Sequence, residues 1–227
     1  MSHRVRLLLG PSFLTLILIS SLGASSAAFA APGKVESIGQ FADQSASESV
    51  RKALEPKGYR VTGADGGVIC DVWLRNGAPA GKGDTPGAVY ALADSSLVGV
   101  IAFPKNTTDF RGQTVKAGSY TLRYAVHPAD GNHLGISPIR DFLLLAPVAV
   151  DQNADAQFKF EDLSKMSAKA SGTNHPAPLS LVSPDAGASA PAVTENERGN
   201  VILVAKLKTQ AGAAVPIAFI VKGVIEQ

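Results

Sequence analysis

At 227 residues with a formal net charge of +2, the chain is long enough to bury a core without covalent staples, as one large domain or at most two small ones. Its excess of base lies at the N-terminus: removing residues 1–30 takes away Arg4 and Arg6 and no acid, which leaves 19 basic against 19 acidic side chains. That balance, without a basic patch interleaved with aromatics, gives no electrostatic case for nucleic acid or an anionic membrane as a partner.

Residues 1–30 have the three-part layout of a secretory signal: Arg4 and Arg6, a mostly apolar run from Leu7 to Leu22, and small residues ending in Ala28-Phe29-Ala30. Gly10 and Pro11 interrupt the run, and its most continuous part, Phe13 to Ile19, is far shorter than the roughly 20 residues of a spanning helix. Cleavage after Ala30 is therefore expected, leaving a soluble periplasmic or secreted protein with no stable membrane span. No cysteine stands near that point to carry a lipid. Cys70 is the single cysteine, so no intramolecular disulfide can form. Its alternation with Val68, Val72 and Leu74 marks a buried thiol acting as a small hydrophobe, and its neighbours in sequence supply no positive charge to make it reactive.

Residues 31–45 mix Ala, Gly, Ser and Gln and are expected to be loosely ordered, with a single domain over 46–227. A short helix follows, with Ser47 as cap, Glu48 in the first turn, Val50, Ala53 and Leu54 on one side, and Pro56 and Gly58 ending it. From Tyr59 the apolar period becomes two. Tyr59 to Thr62 and Val68 to Arg75 flank the turn sequence 63–67 as a hairpin, and Ala88 to Ala93 and Leu97 to Phe103 flank Asp94-Ser95-Ser96 as a second strand pair. Ser119 to His127 alternates cleanly, with Tyr120, Leu122, Tyr124 and Val126 on one face and Thr121, Arg123 and His127 on the other. Arg140 to Ala146 is a continuous apolar run suited to an interior strand. A second helix spans Glu161 to Ala170 and stops at Ser171-Gly172; Leu179 to Val182, a Pro-, Ala-, Gly- and Ser-rich loop over 183–198, and strands Val201 to Leu207 and Ile217 to Val224 complete the chain. About nine short strands with two minor helices predict an all-β, antiparallel β-sandwich of jelly-roll or immunoglobulin-like type, or a partly closed barrel, over any α/β design.

Chemistry-bearing residues gather between two of these strands. Asp130-Gly131-Asn132 and Gly135 supply turn chemistry to a loop over 128–138, so a polar turn explains most of the composition. His127, Asp130 and His133 have side chains that coordinate Zn²⁺ or another transition metal, but ligands on a loop converge only if the loop folds around them, whereas a helical spacing converges by geometry. Arg140 and Asp141, adjacent on a strand, point to opposite faces: Asp141 is expected beside Leu143 and Leu145, accepting a hydrogen bond from a loop amide or an arginine, and Arg140 is expected to reach the 128–138 loop. Trp73 and Arg75 lie on the face opposite Cys70. Either they belong to the packing of a two-sided sheet, or with Arg123 they form an aromatic and basic platform for a carboxylate or a sugar. A ligand site is expected at the end of the fold where the 128–138 loop emerges, with His175 close by. Ser167, Lys169 and His175 can be arranged on paper as nucleophile and base, but residue types this common carry little weight. Serine-hydrolase elbow, phosphate-loop and paired-cysteine zinc motifs are missing from the sequence. Asn106-Thr107-Thr108 matches a glycosylation acceptor, which matters only in a cell that glycosylates exported chains.

The pieces Glu55-Pro-Lys-Gly-Tyr-Arg60, Trp73-Leu-Arg75, Asp109-Phe-Arg-Gly-Gln113, Lys116-Ala-Gly-Ser-Tyr-Thr-Leu-Arg-Tyr124 and Asp130-Gly-Asn-His-Leu-Gly135 together resemble an uncharacterised family of exported bacterial proteins. The Ala-Gly-Ser-Tyr-Thr-Leu segment is also similar to one in a secreted β-sandwich family of unknown function, where a turn introduces a central strand. The resemblance implies a bacterial, periplasmic or extracellular setting and a β-sandwich, and transfers no catalytic residue. The expected function is non-catalytic binding of a protein or small-molecule partner, or a structural role, with no cofactor; the rival is a metal-dependent hydrolase using His127, Asp130 and His133.

Overall fold

The computed structural model describes residues 33–81, 87–127, 137–184 and 189–225, together with Met1. In chain order the elements are β1 (Lys34–Ile38), α1 (Glu48–Ala53), β2 (Gly58–Thr62), β3 (Val68–Leu74), β4 (Asn76–Ala78), β5 (Leu97–Phe103), β6 (Thr107–Thr108), β7 (Thr114–Val115), β8 (Gly118–Val126), β9 (Asp141–Pro147), α2 (Phe160–Ser171), β10 (Pro178–Val182), β11 (Ala192–Glu195), β12 (Val201–Thr209) and β13 (Ala214–Lys222). The all-β class holds. Among the described residues the strands form one 11-stranded sheet, ten of them in the order β1-β2-β3-β5-β8-β9-β10-β13-β12-β11 with β4 joined beside β12, plus the small β6-β7 ribbon.

This is not a nine-strand antiparallel sandwich. β4 leaves β3 after one residue, Arg75, and pairs in parallel with β12 at the far part of the sheet, Asn76 opposite Lys208. β10 gives its first half to β9 (Pro178 opposite Leu144) and its second to β13 (Leu181 opposite Phe219). A strand that changes partners carries the curl around a corner, so the mixed sheet bends back on itself. Its terminal strands also approach: a Cβ added to Gly33, beside β1, would lie 3.0 Å from Val193 of β11. The inner side then collects Cys70, Val72, Leu74, Leu122, Tyr124, Leu143, Leu145, Leu203 and Phe219 into one core.

The outer side is covered in two places. Phe41, Val50 and Leu54, from α1 and the segment before it, pack on Trp73 and Val100 of β3 and β5. The Ser47 hydroxyl caps α1 by accepting from the Val50 amide at 3.1 Å, as its place before Glu48 predicts. α2 sets Leu163 on Ala125, Phe142 and Leu144 of β8 and β9 and ends at Gly172, whose φ of 67° supplies the left-handed turn. The 59–75 hairpin and the alternation of β8 are as expected.

Three local expectations are corrected. Lys34–Ile38, inside the segment read as loosely ordered, pairs with β2 along its whole length; as a terminal strand with one neighbour it needs no clean apolar alternation. Residues 88–93 are not a strand beyond the single bridge Ala80–Leu92, because the Val89 and Tyr90 amides are turned to a carboxylate instead of a neighbouring strand. The 183–198 loop contains β11, four residues too short to show a period.

Gly58 fixes how Trp73 lies. A Cβ there would sit 2.5 Å from Trp73 Nε1, an indole held by Gly39 carbonyl at 2.8 Å and by the Phe41 ring at 5.0 Å between centroids. Gly58→Ala is therefore expected to cost about 1–3 kcal/mol and to move the emission of the single tryptophan. An unaltered denaturant midpoint and emission maximum would show that the ring has room to yield.

Candidate functional site

The two candidate regions lie on opposite surfaces of β8. On the outer surface Thr121 and Arg123 face away from the core, between the patch covered by α1 and the patch covered by α2. Arg123 is fully buried there. Its Nε and Nη2 donate to the two carboxylate oxygens of Asp151, both at 2.7 Å, and Thr121 Oγ1 donates to the same carboxylate at 2.6 Å. Its remaining donors go to carbonyls of Ser95 (3.1 Å), Ala156 (3.0 Å) and Asn153 (2.6 Å), and the guanidinium lies 5.0 Å from the Phe158 ring centre. A guanidinium has five N–H donors, and all are used. Arg75, two strands away across β5, donates to the Ala154 carbonyl at 2.7 Å and pairs with Asp155. Both arginines thus hold the stretch 151–156 against the sheet.

Trp73, Arg75 and Arg123 do share one face, as the alternation predicts, but that face is closed. Trp73 is 7% exposed, Arg75 6% and Arg123 0%. Their polar atoms hold protein carbonyls and carboxylates, so the open aromatic and basic platform does not form. Asp151, the partner that decides this, was not singled out by the sequence; the only signal for it is an acid in a turn-rich stretch following an apolar strand.

On the inner surface, at the end of β8, Asp141 is fully buried beside Leu143 and Leu145 in the core. It accepts from the amides of Val89 (2.9 Å) and Tyr90 (3.0 Å) and from Tyr124 Oη (2.6 Å), which meets the expectation of a loop-amide donor. Tyr90 Oη donates to the Val182 carbonyl at 2.7 Å and accepts from the Ala218 amide at 3.0 Å. The network ties the 87–93 segment across this end of the curled sheet. Burial, with smaller effects from bonding and charge, pushes the Tyr90 phenol up to about 12, and burial together with the Asp141 carboxylate pushes Tyr124 higher still.

Arg140 donates to the His127 carbonyl, its Nε at 2.9 Å, and its side chain lies against Gly87. His127 stacks on Phe142 with ring centres 4.1 Å apart. The structure brings these two candidates together at the start of the 128–138 loop. Asp130 and His133 lie outside the described residues, as does the signal segment. Val126 pairs with Asp141 at the start of β9, whereas Pro178 pairs with Leu144 at its middle and the Ala177 carbonyl accepts from the Leu145 amide, so the chain leading back from Pro178 toward His175 runs away from the end where His127 lies. This register gives no support to a joint site with His175. Ser167 is also committed, accepting from the Ala177 amide at 3.0 Å. Among the described residues no three of His, Cys, Asp and Glu group as metal ligands, and no helix is long and apolar enough to cross a membrane. Comparison of the chain with family models, curated proteins and solved structures finds no match.

Two outcomes follow from this geometry. Arg123→Leu leaves Asp151 buried and unpaired and should cost about 3–5 kcal/mol; adding Asp151→Leu should recover part of that loss, and strict additivity of the two in a denaturant cycle would refute the pairing. The phenols of Tyr90 and Tyr124 titrate higher in the folded chain than their ordinary value of 10.0. The stability they contribute is fully present below pH 10 and is lost as pH rises toward 12 and beyond. The denaturant midpoint should decline over that range, less steeply in Tyr90→Phe; equal slopes in the two proteins would contradict the assignment.

Proposed function

We propose that the chain is an exported bacterial protein of the periplasm or cell exterior that binds a protein or small-molecule partner, or serves structurally, without catalysing a reaction. The observation that carries this reading is the allocation of its buried ionisable groups. Arg75, Arg123, Asp141 and Asp151 are each committed to backbone groups or to one another, holding loops to the sheet. General acid–base or nucleophilic chemistry needs a group whose bonds can change during turnover. Binding needs only a shaped surface on a rigid frame, which a sheet cross-tied in this way supplies. Export is supported by the signal layout of residues 1–30 and by the resemblance to exported bacterial proteins. We place partner contact at the end of the sheet where β8 leads into the 128–138 loop, at His127 and Arg140, since the described sheet faces around Trp73 and Phe142 are consumed by packing.

Native mass spectrometry of untagged protein recovered from a bacterial periplasm tests both parts. The expected species begins at Ala31 and carries no stoichiometric metal. Stoichiometric Zn, Cu or Fe that disappears in the His127→Ala, His133→Ala double variant would replace this reading with the metal-dependent hydrolase, and a chain that stays in the cytoplasm with its first 30 residues intact would remove export.

A further inference from the structure

Asn76 is the one asparagine in the sequence that a glycine follows, and the fold sets that pair at an irregular point of the main chain. In the parallel pairing of β4 with β12, Asn76 lies opposite Lys208 and Ala78 opposite Thr209, so Gly77 is an extra residue without a partner in the register. Its φ of 89° is a left-handed value that glycine adopts freely. Within 4 Å a Cβ built there would meet only Gln210 atoms, the nearer at 3.9 Å, so the main chain is uncrowded at this point, and Asn76 is exposed. The carboxamide oxygens of Asn106, Asn153 and Asn196 are restrained, accepting from the amides of Ala117, Asp155 and Asn200, each at 3.0 Å, and Asn200 is buried. The Asn76 side chain makes no such bond among the described residues.

We propose that Asn76 is a site of spontaneous covalent modification, deamidation through a cyclic imide, with water as the co-reactant. The Gly77 amide nitrogen, after losing its proton to hydroxide, attacks Asn76 Cγ; the Cγ–Nδ2 bond breaks, and the leaving nitrogen takes a proton from water and departs as ammonia. A second water opens the ring. Breaking the new bond to Cγ gives aspartate in an unaltered main chain, whereas breaking the original peptide bond gives isoaspartate, with one methylene more in the main chain. The two products differ in consequence. Residues on either side are fixed: the Arg75 amide donates to the Val98 carbonyl at 2.7 Å and the Gln210 amide to the Ala78 carbonyl at 3.0 Å, with Ala78 fully buried. A longer chain between two fixed points has to release one of them, so isoaspartate loosens the pairing of β4 with β12. Aspartate keeps the length and brings a carboxylate opposite Lys208, whose ammonium already pairs with Glu55 at 2.9 Å. Neither step requires a bound partner, so the site stands apart from the non-catalytic binding reading.

Peptide mapping by mass spectrometry of the whole purified protein, held folded at mildly alkaline pH over weeks, tests the site. The peptide containing Asn76 should gain about 1 Da and separate into two isomers of equal mass, at a rate at least about tenfold above that of peptides carrying Asn106, Asn153 or Asn196. Gly77→Ala strains a left-handed position, so Asn76→Ser is the control: it removes the carboxamide and keeps the glycine. The thermal midpoint of the aged parent should fall as the isoaspartate fraction grows, while aged Asn76→Ser keeps its own; an equal fall in both would overturn the effect on β4. An Asn76 peptide that holds its mass in the folded chain and gains it only in urea would show that the fold protects the bond, and conversion of all these asparagines at similar rates would show that the fold does not select it. Either result overturns the site.

Discussion

The arrangement of the outer surface depends on the buried pair Arg123 and Asp151. Neither side chain reaches solvent, and in an interior of low polarity either one alone would be a severe liability. Each is tolerated because the other is present and because three backbone carbonyls and a threonine hydroxyl satisfy what remains. The reciprocal effect is on the chain: carbonyls from 153 to 156 belong to a stretch without regular structure, which needs partners before it can lie against a sheet. Arg123 and Arg75 provide them, so the route from β9 to α2 is set by two guanidinium groups.

That route determines what α2 can cover. Once Asp151 is anchored on β8, the following helix is delivered to the outer side of β8 and β9, where Leu163 meets Phe142 and Leu144. On the other side of the pair, the same stretch reaches the start of the chain: the Ser49 hydroxyl accepts from the Ala154 amide at 3.2 Å, and the Gln152 side chain donates to the Ser45 carbonyl at 3.2 Å. The polar pair thus sits between two apolar patches and fixes both covers. The Asp141 network does a comparable job inside, where one carboxylate gathers two amides and a phenol and holds a non-strand segment across the end of the sheet.

A chain built this way keeps its strongest polar groups for itself. We place what it offers to others at its margin, the end of the sheet near His127 and Arg140, set on elements whose positions are over-determined by buried bonds, which limits the ordering cost of binding there.

Local physics made several features legible from sequence. The period of two in β8 separates core tyrosines from the face bearing Arg123; Ser47 and Gly172 mark helix ends; Cys70 lies among inward residues and is buried; and Asp141 calls for a loop amide or an arginine as donor, of which it has the amide. Each depends on neighbours a few residues away or on the two-sidedness of a strand. Other features depended on contacts between distant parts of the chain. Sequence spacing could not show that β10 and the β3–β4 strand change partners, that Lys34–Ile38 finds an edge to pair with, or that the chain leading back from Pro178 to His175 runs away from His127 along β9. Nor could it show that Arg75 and Arg123 face a loop instead of a ligand. An arginine beside a tryptophan on an outward face has the same sequence signature whether solvent or residues 151–156 cover it. The decision came from Asp151, 28 residues from Arg123, because a buried guanidinium persists only where the folded chain brings a carboxylate to it.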